Sequence, residues 1–207
     1  MRIDDPEHLI PDHDELCRVV SSHPLDGVLA SRIRTVFVRR SERCGIPQEN
    51  IDINGENVTL GIGEATQHKS NYQFILYHEF SHIADRLRPE FRYSDDAKRK
   101  LTDSERICLM ELWNLHINSR LNRVGLYEPS RSTCIGTLNG VVQKFPADAG
   151  GELMAHMAIL ERKGFAYEEA KGLVEDLWQR PEIPLTYVDI IEKVKKGLGE
   201  PAGAGDA

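Results

Sequence analysis

The chain has 207 residues, 40% of them hydrophobic, with 26 Lys and Arg against 33 Asp and Glu for a formal net charge of −7. That length and apolar fraction allow a buried core without disulfide staples and exclude wholesale disorder. The acidity argues against a nucleic-acid coat, so no nucleic-acid partner is expected, and no stretch approaches the roughly 20 apolar residues of a membrane-spanning helix.

The opening Met1-Arg2-Ile3-Asp4-Asp5-Pro6 lacks the apolar segment of a secretory leader. Cys17, Cys44, Cys108 and Cys134 stand far apart with no Cys-x-x-Cys pair. A cytoplasmic protein with reduced, mostly buried thiols is the expectation.

After a short acidic lead, Leu25, Val28, Leu29, Ile33, Val36 and Phe37 recur at spacings of three and four, which predicts a helix ended by Gly45-Ile46-Pro47. The basic residues in and after it (Arg32, Arg34, Arg39, Arg40, Arg43), like Lys98, Arg99 and Lys100 further on, read as solvated faces or turns rather than a phosphate-binding patch. Ile51-Asp52-Ile53, the turn Asn54-Gly55-Glu56-Asn57 and Val58-Thr59-Leu60-Gly61-Ile62 form the one convincing hairpin.

The pattern Ser70-Asn71-Tyr72-Gln73 has the form of a capping box, and the stripe Ile75, Leu76, Phe80, Ile83, Ala84 and Leu87 then predicts a long helix ending before Pro89. A second box, Thr102-Asp103-Ser104-Glu105, opens another long helix that should stop at Gly125. A loop through residues 129–146 leads to three more helical patterns, at 148–164, 167–180 and 186–197. The class is α+β and predominantly helical, with one small sheet ahead of the central helix.

That central helix carries His78-Glu79-Phe80-Ser81-His82, an HExxH pattern expected about 0.03 times by chance in a chain of this composition. A spacing of four sets His78 and His82 one turn apart on one face, where both imidazoles can reach one tetrahedral zinc. Glu79 is rotated from that line. It is placed to hold a water rather than the metal, taking the water's proton and returning it to a leaving amine.

A catalytic zinc site takes a third protein ligand. The second long helix offers Glu111, with Asn114 and Asn118 one and two turns further along nearly the same face. The plain alternative is that this polar line marks the helix's wet side. His116, His156, Glu105 and Glu152 compete for the ligand position, and Glu111 is favoured by its place in mid-helix.

With these residues the sequence resembles the zincin metallopeptidases, and among them the gluzincins, in which a Glu on a later helix completes the zinc site. The resemblance spans about residues 50–125 and is most similar to the very small prokaryotic gluzincins; repressor-cleaving regulatory metallopeptidases share a similar short core. It implies His78, His82 and Glu111 as zinc ligands, Glu79 as general base, Zn2+ as cofactor and a peptide or protein as substrate. The Gly and third His of the metzincin extension are absent, since residues 83–89 read IADRLRP.

Larger gluzincins orient a zinc-bound His with an Asp one turn past the ligand Glu, where this chain has Leu115. Asp85, Asn114 and Asn118 are therefore candidates to orient the ligands, with an Asp85 pairing to Arg88 as the plain alternative. The resemblance further implies that the strand before the active-site helix lies at the sheet edge and pairs with an extended substrate, which makes Val58, Thr59, Leu60, Gly61 and Ile62 a candidate substrate rail. Tyr72, Tyr93, His116, Tyr127 and His156 are eligible to stabilise the developing oxyanion.

These assignments divide the chain into residues 1–125 (N-terminal helices and a core at about 50–125), a helical C-terminal extension at 126–198 and a disordered tail at 199–207. The extension reads as core-completing or oligomerising helices. A sharper reading, in which it covers the cleft and keeps the enzyme latent, expects truncation after about Gly125 to raise activity. The other functional class left open is a zinc-binding regulatory or interaction protein that keeps the core but cleaves little.

Overall fold

The computed structural model describes residues 1–10, 12–40, 51–62, 72–126, 134–138, 141–145, 149–180 and 185–199. It is α+β and mostly helical, with eight helices among the described residues and a four-stranded mixed sheet near the N-terminus. The packing divides the chain into two compact units, Met1–Pro89 and Glu90–Ala207. The expected tail from residue 200 onward lies outside the described residues.

The first unit runs β1 (Arg2–Asp4), α1 (His13–Ser21), α2 (Asp26–Arg32), β2 (Thr35–Arg40), β3 (Ile51–Asn54), β4 (Asn57–Ile62) and α3 (Tyr72–Leu87). The sheet order is β1-β2-β4-β3, with β1, β2 and β4 parallel and β3 antiparallel to β4. Register brings Val36 beside Val58 and Val38 beside Leu60, so one face is a continuous buried layer of Val36, Val38, Val58, Leu60 and Ile62. Helices α1 and α2 pack on α3, burying Leu16, Val19, Leu29, Leu76, Phe80 and Ile83.

The single helix expected across residues 25–37 is corrected. Helix α2 stops at Arg32 and the chain becomes strand β2. Ile33, Val36 and Phe37 match a helical spacing only in passing; from Thr35 onward the β-branched run alternates, with Val36 and Val38 buried and their neighbours half-exposed. Strands on both sides of β2 then decide the matter.

The hairpin between β3 and β4 forms as expected, with Asn54 opposite Asn57. Gly55 takes φ +61 at the first central position while Glu56 does not, the pattern of a type II′ turn. Of the basic residues, Arg34 pairs with Glu56, Arg39 with Asp4 and Arg40 with Glu7. Arg43 lies outside the described residues.

The second unit contains α4 (Asp95–Arg99), α5 (Asp103–Arg123), β5 (Cys134–Leu138), β6 (Val141–Phe145), α6 (Ala149–Lys163), α7 (Tyr167–Gln179) and α8 (Tyr187–Leu198). Helix α5 begins on the expected capping box: Thr102 N–H donates to Glu105 Oε2 at 2.7 Å, and Glu105 N–H donates to Thr102 Oγ1 at 3.3 Å. It ends on a glycine cap. Gly125, at φ +72, donates to the Asn122 carbonyl and Leu126 to the Leu121 carbonyl, which satisfies two of the terminal acceptors.

Helices α6, α7 and α8 all pack on α5, and a cluster of Phe91, Tyr93, Trp113 and Tyr187 rings joins its middle to the start of α8. The loop expected at residues 129–146 contains instead an antiparallel hairpin of β5 and β6, with Leu138 opposite Val141. Its sequence signal is the intervening Asn139-Gly140. Of the two cysteines whose side chains are described, Cys108 is buried, its pKa pushed by that burial up to about 11, and Cys17 is exposed.

Gly197 in α8 lies against Phe165, whose ring carbon Cε1 would stand 1.9 Å from an added Cβ. Phe165 is itself 4% exposed and has little room to retreat. Gly197→Ala is expected to cost about 1–3 kcal/mol through overpacking, read as a lower denaturant midpoint at unchanged slope. An unchanged midpoint would show that the ring swings aside freely.

Candidate metal centre

Helix α3 carries His78, Glu79, His82 and Asp85. The expected box at Ser70 and Asn71 lies outside the described residues. One turn apart, the two imidazoles converge: His78 Nε2 and His82 Nε2 are 3.2 Å apart, with ring centroids at 4.9 Å. Two nitrogens on one edge of a zinc tetrahedron, each about 2.0–2.1 Å from the metal, stand roughly 3.3 Å apart. The donor pair therefore has the spacing a tetrahedral cation requires.

Glu79 is 2% exposed, and neither carboxylate oxygen has a hydrogen-bond partner among the described residues. Burial pushes its pKa up to about 8. An ionised carboxylate in such a place is costly unless a cation, a water or a substrate proton meets it. Groups perturbed in this way gather at functional sites. The orphaned carboxylate and the converged imidazoles, adjacent on one helix, fit the chemistry of a metal and its water.

Asp85 is fully buried and its Oδ1 accepts from Arg88 Nη2 at 2.6 Å. The plain alternative for this residue, an ion pair with Arg88, is thus present. Arg86, on the same last turn, donates from Nη1 to the Ile51 carbonyl of β3 at 2.9 Å.

A second set of contacts, which sequence reading missed, braces α3 from the corner between α1 and α2. Leu25 N–H donates to His23 Nδ1 at 3.0 Å, so the ring proton sits on Nε2, which faces Ser81 Oγ at 3.0 Å. Ser81 donates in turn to the Tyr77 carbonyl at 2.8 Å, and the Tyr77 hydroxyl meets Ser22 Oγ at 2.6 Å. Tyr77 and Ser81 immediately precede His78 and His82, so the brace holds the backbone that aims both imidazoles. Nothing local in the sequence singles out a His in a Ser-Ser-His-Pro corner for this task.

The placement of residues 58–62 at a sheet edge is corrected. Strand β4 is interior, with β2 on one side along its whole length and β3 on the other from Asn57 to Leu60. Val58, Thr59 and Leu60 are paired on both sides and have no backbone to offer a peptide. Gly61 and Ile62 pair with Arg39 and Arg40. The reason is chain order: the segment before β4 folds back on it as a hairpin and takes the edge itself.

In the second unit, Glu111 lies on α5 with Asn114, both half-buried, while Asn118 and His116 are buried. The line is therefore not simply a wet face. Glu111 Oε2 is 2.8 Å from Nδ1 of His156 on α6. Glu105 is committed to its cap, and the bond from Thr102 N–H holds its carboxyl below the usual range despite partial burial.

Tyr93 donates to Asp95 at 2.7 Å. Tyr127 lies outside the described residues, as do the side chains of Tyr72 and Glu152. Among the described residues, no three His, Cys, Asp or Glu side chains form a group able to hold a metal, and no helix is long and apolar enough to cross a membrane. No protein-family model, curated protein or solved structure matches this chain.

Proposed function

We propose that this chain is a zinc-dependent metallopeptidase with a zincin-like core, acting on an extended peptide or unstructured protein. The observation that carries the reading is the pairing of converged His78 and His82 imidazoles with a buried Glu79 carboxylate on the same helix that has no hydrogen-bond partner among the described residues. His78 and His82 hold the metal; Glu111 as third ligand rests on the family resemblance alone. Zinc, when bound, supplies a Lewis acid that polarises the scissile carbonyl and lowers the pKa of water.

Glu79 acts as general base and then as general acid, accepting a proton from the attacking water and delivering it to the departing amine. Its burial suits both steps, because a carboxyl whose pKa lies near neutrality takes up and releases protons with comparable ease. The brace of His23 and Ser81 keeps the imidazoles aimed.

The substrate edge moves from β4 to β3. In a two-residue hairpin Asn54 and Asn57 exchange hydrogen bonds, so by alternation Asp52 faces β4 while Ile51 and Ile53 turn their backbone groups outward. An extended peptide adds to that edge, beyond the Ile51 carbonyl already met by Arg86.

The test is zinc stoichiometry of protein prepared without chelator, alongside cleavage of an unstructured protein. One zinc per wild-type chain is expected, with loss of binding in His78→Ala and Glu111→Ala. Glu79→Ala should keep zinc and lose cleavage. Wild-type protein without zinc overturns the reading, whereas bound zinc with no cleavage by any preparation leaves a regulatory zinc-binding protein.

A further inference from the structure

Arg86 ties the site-bearing face of α3 to the edge of the sheet. It follows His82 by four residues and Glu79 by seven, which at about 100° per residue puts it within about 40° of both around the helix. Its Nη1 donates to the Ile51 carbonyl at 2.9 Å. That carbonyl points away from β4, on the side where β3 meets no further strand among the described residues. The guanidinium therefore stands where the N–H of an added strand would stand, and it sets a positive charge at the end of that edge.

We infer that Arg86 is a specificity-determining residue that receives a carboxylate of the bound peptide, from an Asp or Glu side chain or from the C-terminus. The inference rests on the proposed peptidase activity with β3 as its substrate edge, and it names the substrate class: peptides with an acidic group to one side of the cut. A guanidinium carries five N–H donors in a planar fork, so it can serve a backbone carbonyl and a carboxylate together. Arg86 is half-buried, where a charge-assisted bond is screened less than at the open surface. Asp85, its neighbour in sequence, gives Oδ1 to Arg88, and Asp52 on β3 projects from the face opposite Ile51. From the midpoint of His78 and His82 to Arg86 is about 9 Å along the helix at 1.5 Å per residue. An extended peptide covers that distance in about three residues.

The plain alternative is a staple that only joins α3 to β3. Substrate ratios separate the two. The probes are unstructured neutral 12-residue peptides: one amidated and all-neutral, a set of amides with a single Glu moved position by position, and the neutral peptide as its free acid. For the full-length, zinc-loaded wild type, Arg86→Gln and Arg86→Lys, kcat/KM is measured on each. Peptide dissociation constants are read by fluorescence anisotropy in Glu79→Gln, with and without Arg86→Gln.

The best acidic peptide is expected to exceed its neutral counterpart about 10–100-fold in kcat/KM, through KM, with a matching ratio in Kd. Its carboxylate should lie about two to four residues from the bond cut. Arg86→Gln should bring both ratios to within about twofold of unity, and Arg86→Lys should keep part of the preference. Enhancement confined to the free acid assigns the carboxylate to the substrate C-terminus; enhancement confined to the Glu amides assigns it to a side chain. A wild type that treats acidic and neutral peptides alike overturns the inference, whatever the variants do. So does an Arg86→Gln protein that loses activity on every peptide equally and keeps the ratio, which is the mark of a staple. If zinc-loaded wild type cleaves no peptide, the peptidase reading fails, and the Kd ratio still decides whether Arg86 binds a carboxylate.

Discussion

Replacing Glu79 by glutamine is expected to abolish peptide cleavage while making the metal-free protein more stable at neutral pH. In the folded chain the carboxyl titrates near 8, because burial disfavours its charge, against an ordinary value of 4.5 when unfolded. Below pH 4.5 both states keep the proton and the group has no effect. Between 4.5 and 8 the unfolded chain releases it and the folded chain does not, so stability falls as pH rises; above 8 the loss is constant. Glutamine cannot ionise and escapes this loss, by an upper bound of about 3 kcal/mol at pH 7.

The advantage should therefore be absent near pH 4, grow through pH 6 and level off above pH 8, as several degrees in the melting temperature of chelated protein. A gap independent of pH would mean that Glu79 is solvated in solution. Added zinc should shrink the advantage, since a cation beside Glu79 favours its charged form. Loss of cleavage and gain of stability in one substitution is the mark of a residue kept for chemistry at the expense of the fold.

How much of this was legible beforehand depended on the range of the interaction concerned. The α5 capping box and glycine stop, the hairpin at Gly55 and the helix around HExxH are set by residues within a few positions of one another, and all appear where the spacing puts them. Strand β2 was hidden because Ile33, Val36 and Phe37 satisfy a helical template locally, and only neighbours more than twenty residues away, in β1 and β4, make the segment a strand. The same blindness put β4 at the edge, since strand order is a property of the whole sheet. At the site, the spacing of four foretold that His78 and His82 would converge. That Glu79 would be buried was not readable, because burial is made by packing from elsewhere.

Cutting the chain after Gly125 is expected to destroy its second unit rather than to release activity. Helix α5 is buried along most of its length, at Leu109, Leu112, Trp113, Leu115, Ile117 and Leu121. Within that unit the helices that pack on it are α6, α7 and α8. Tyr187 of α8 meets Trp113 edge-to-face with ring centroids 5.5 Å apart, and Arg123 donates to the Gln179 carbonyl at the end of α7.

Uncovering even three of those side chains costs roughly 5–9 kcal/mol at about 1.5–3 each, a large part of the 5–15 kcal/mol that holds a typical domain together. The truncated chain should show lost helicity, dye-binding apolar surface and no cooperative melt of the second unit. A soluble 1–125 fragment that melts cooperatively and cleaves faster than the full chain would reverse this and make the C-terminal helices a removable cover. The packing favours the first outcome, because a cover is built on a finished core, whereas α6, α7 and α8 supply the apolar surface without which α5 has no core to belong to.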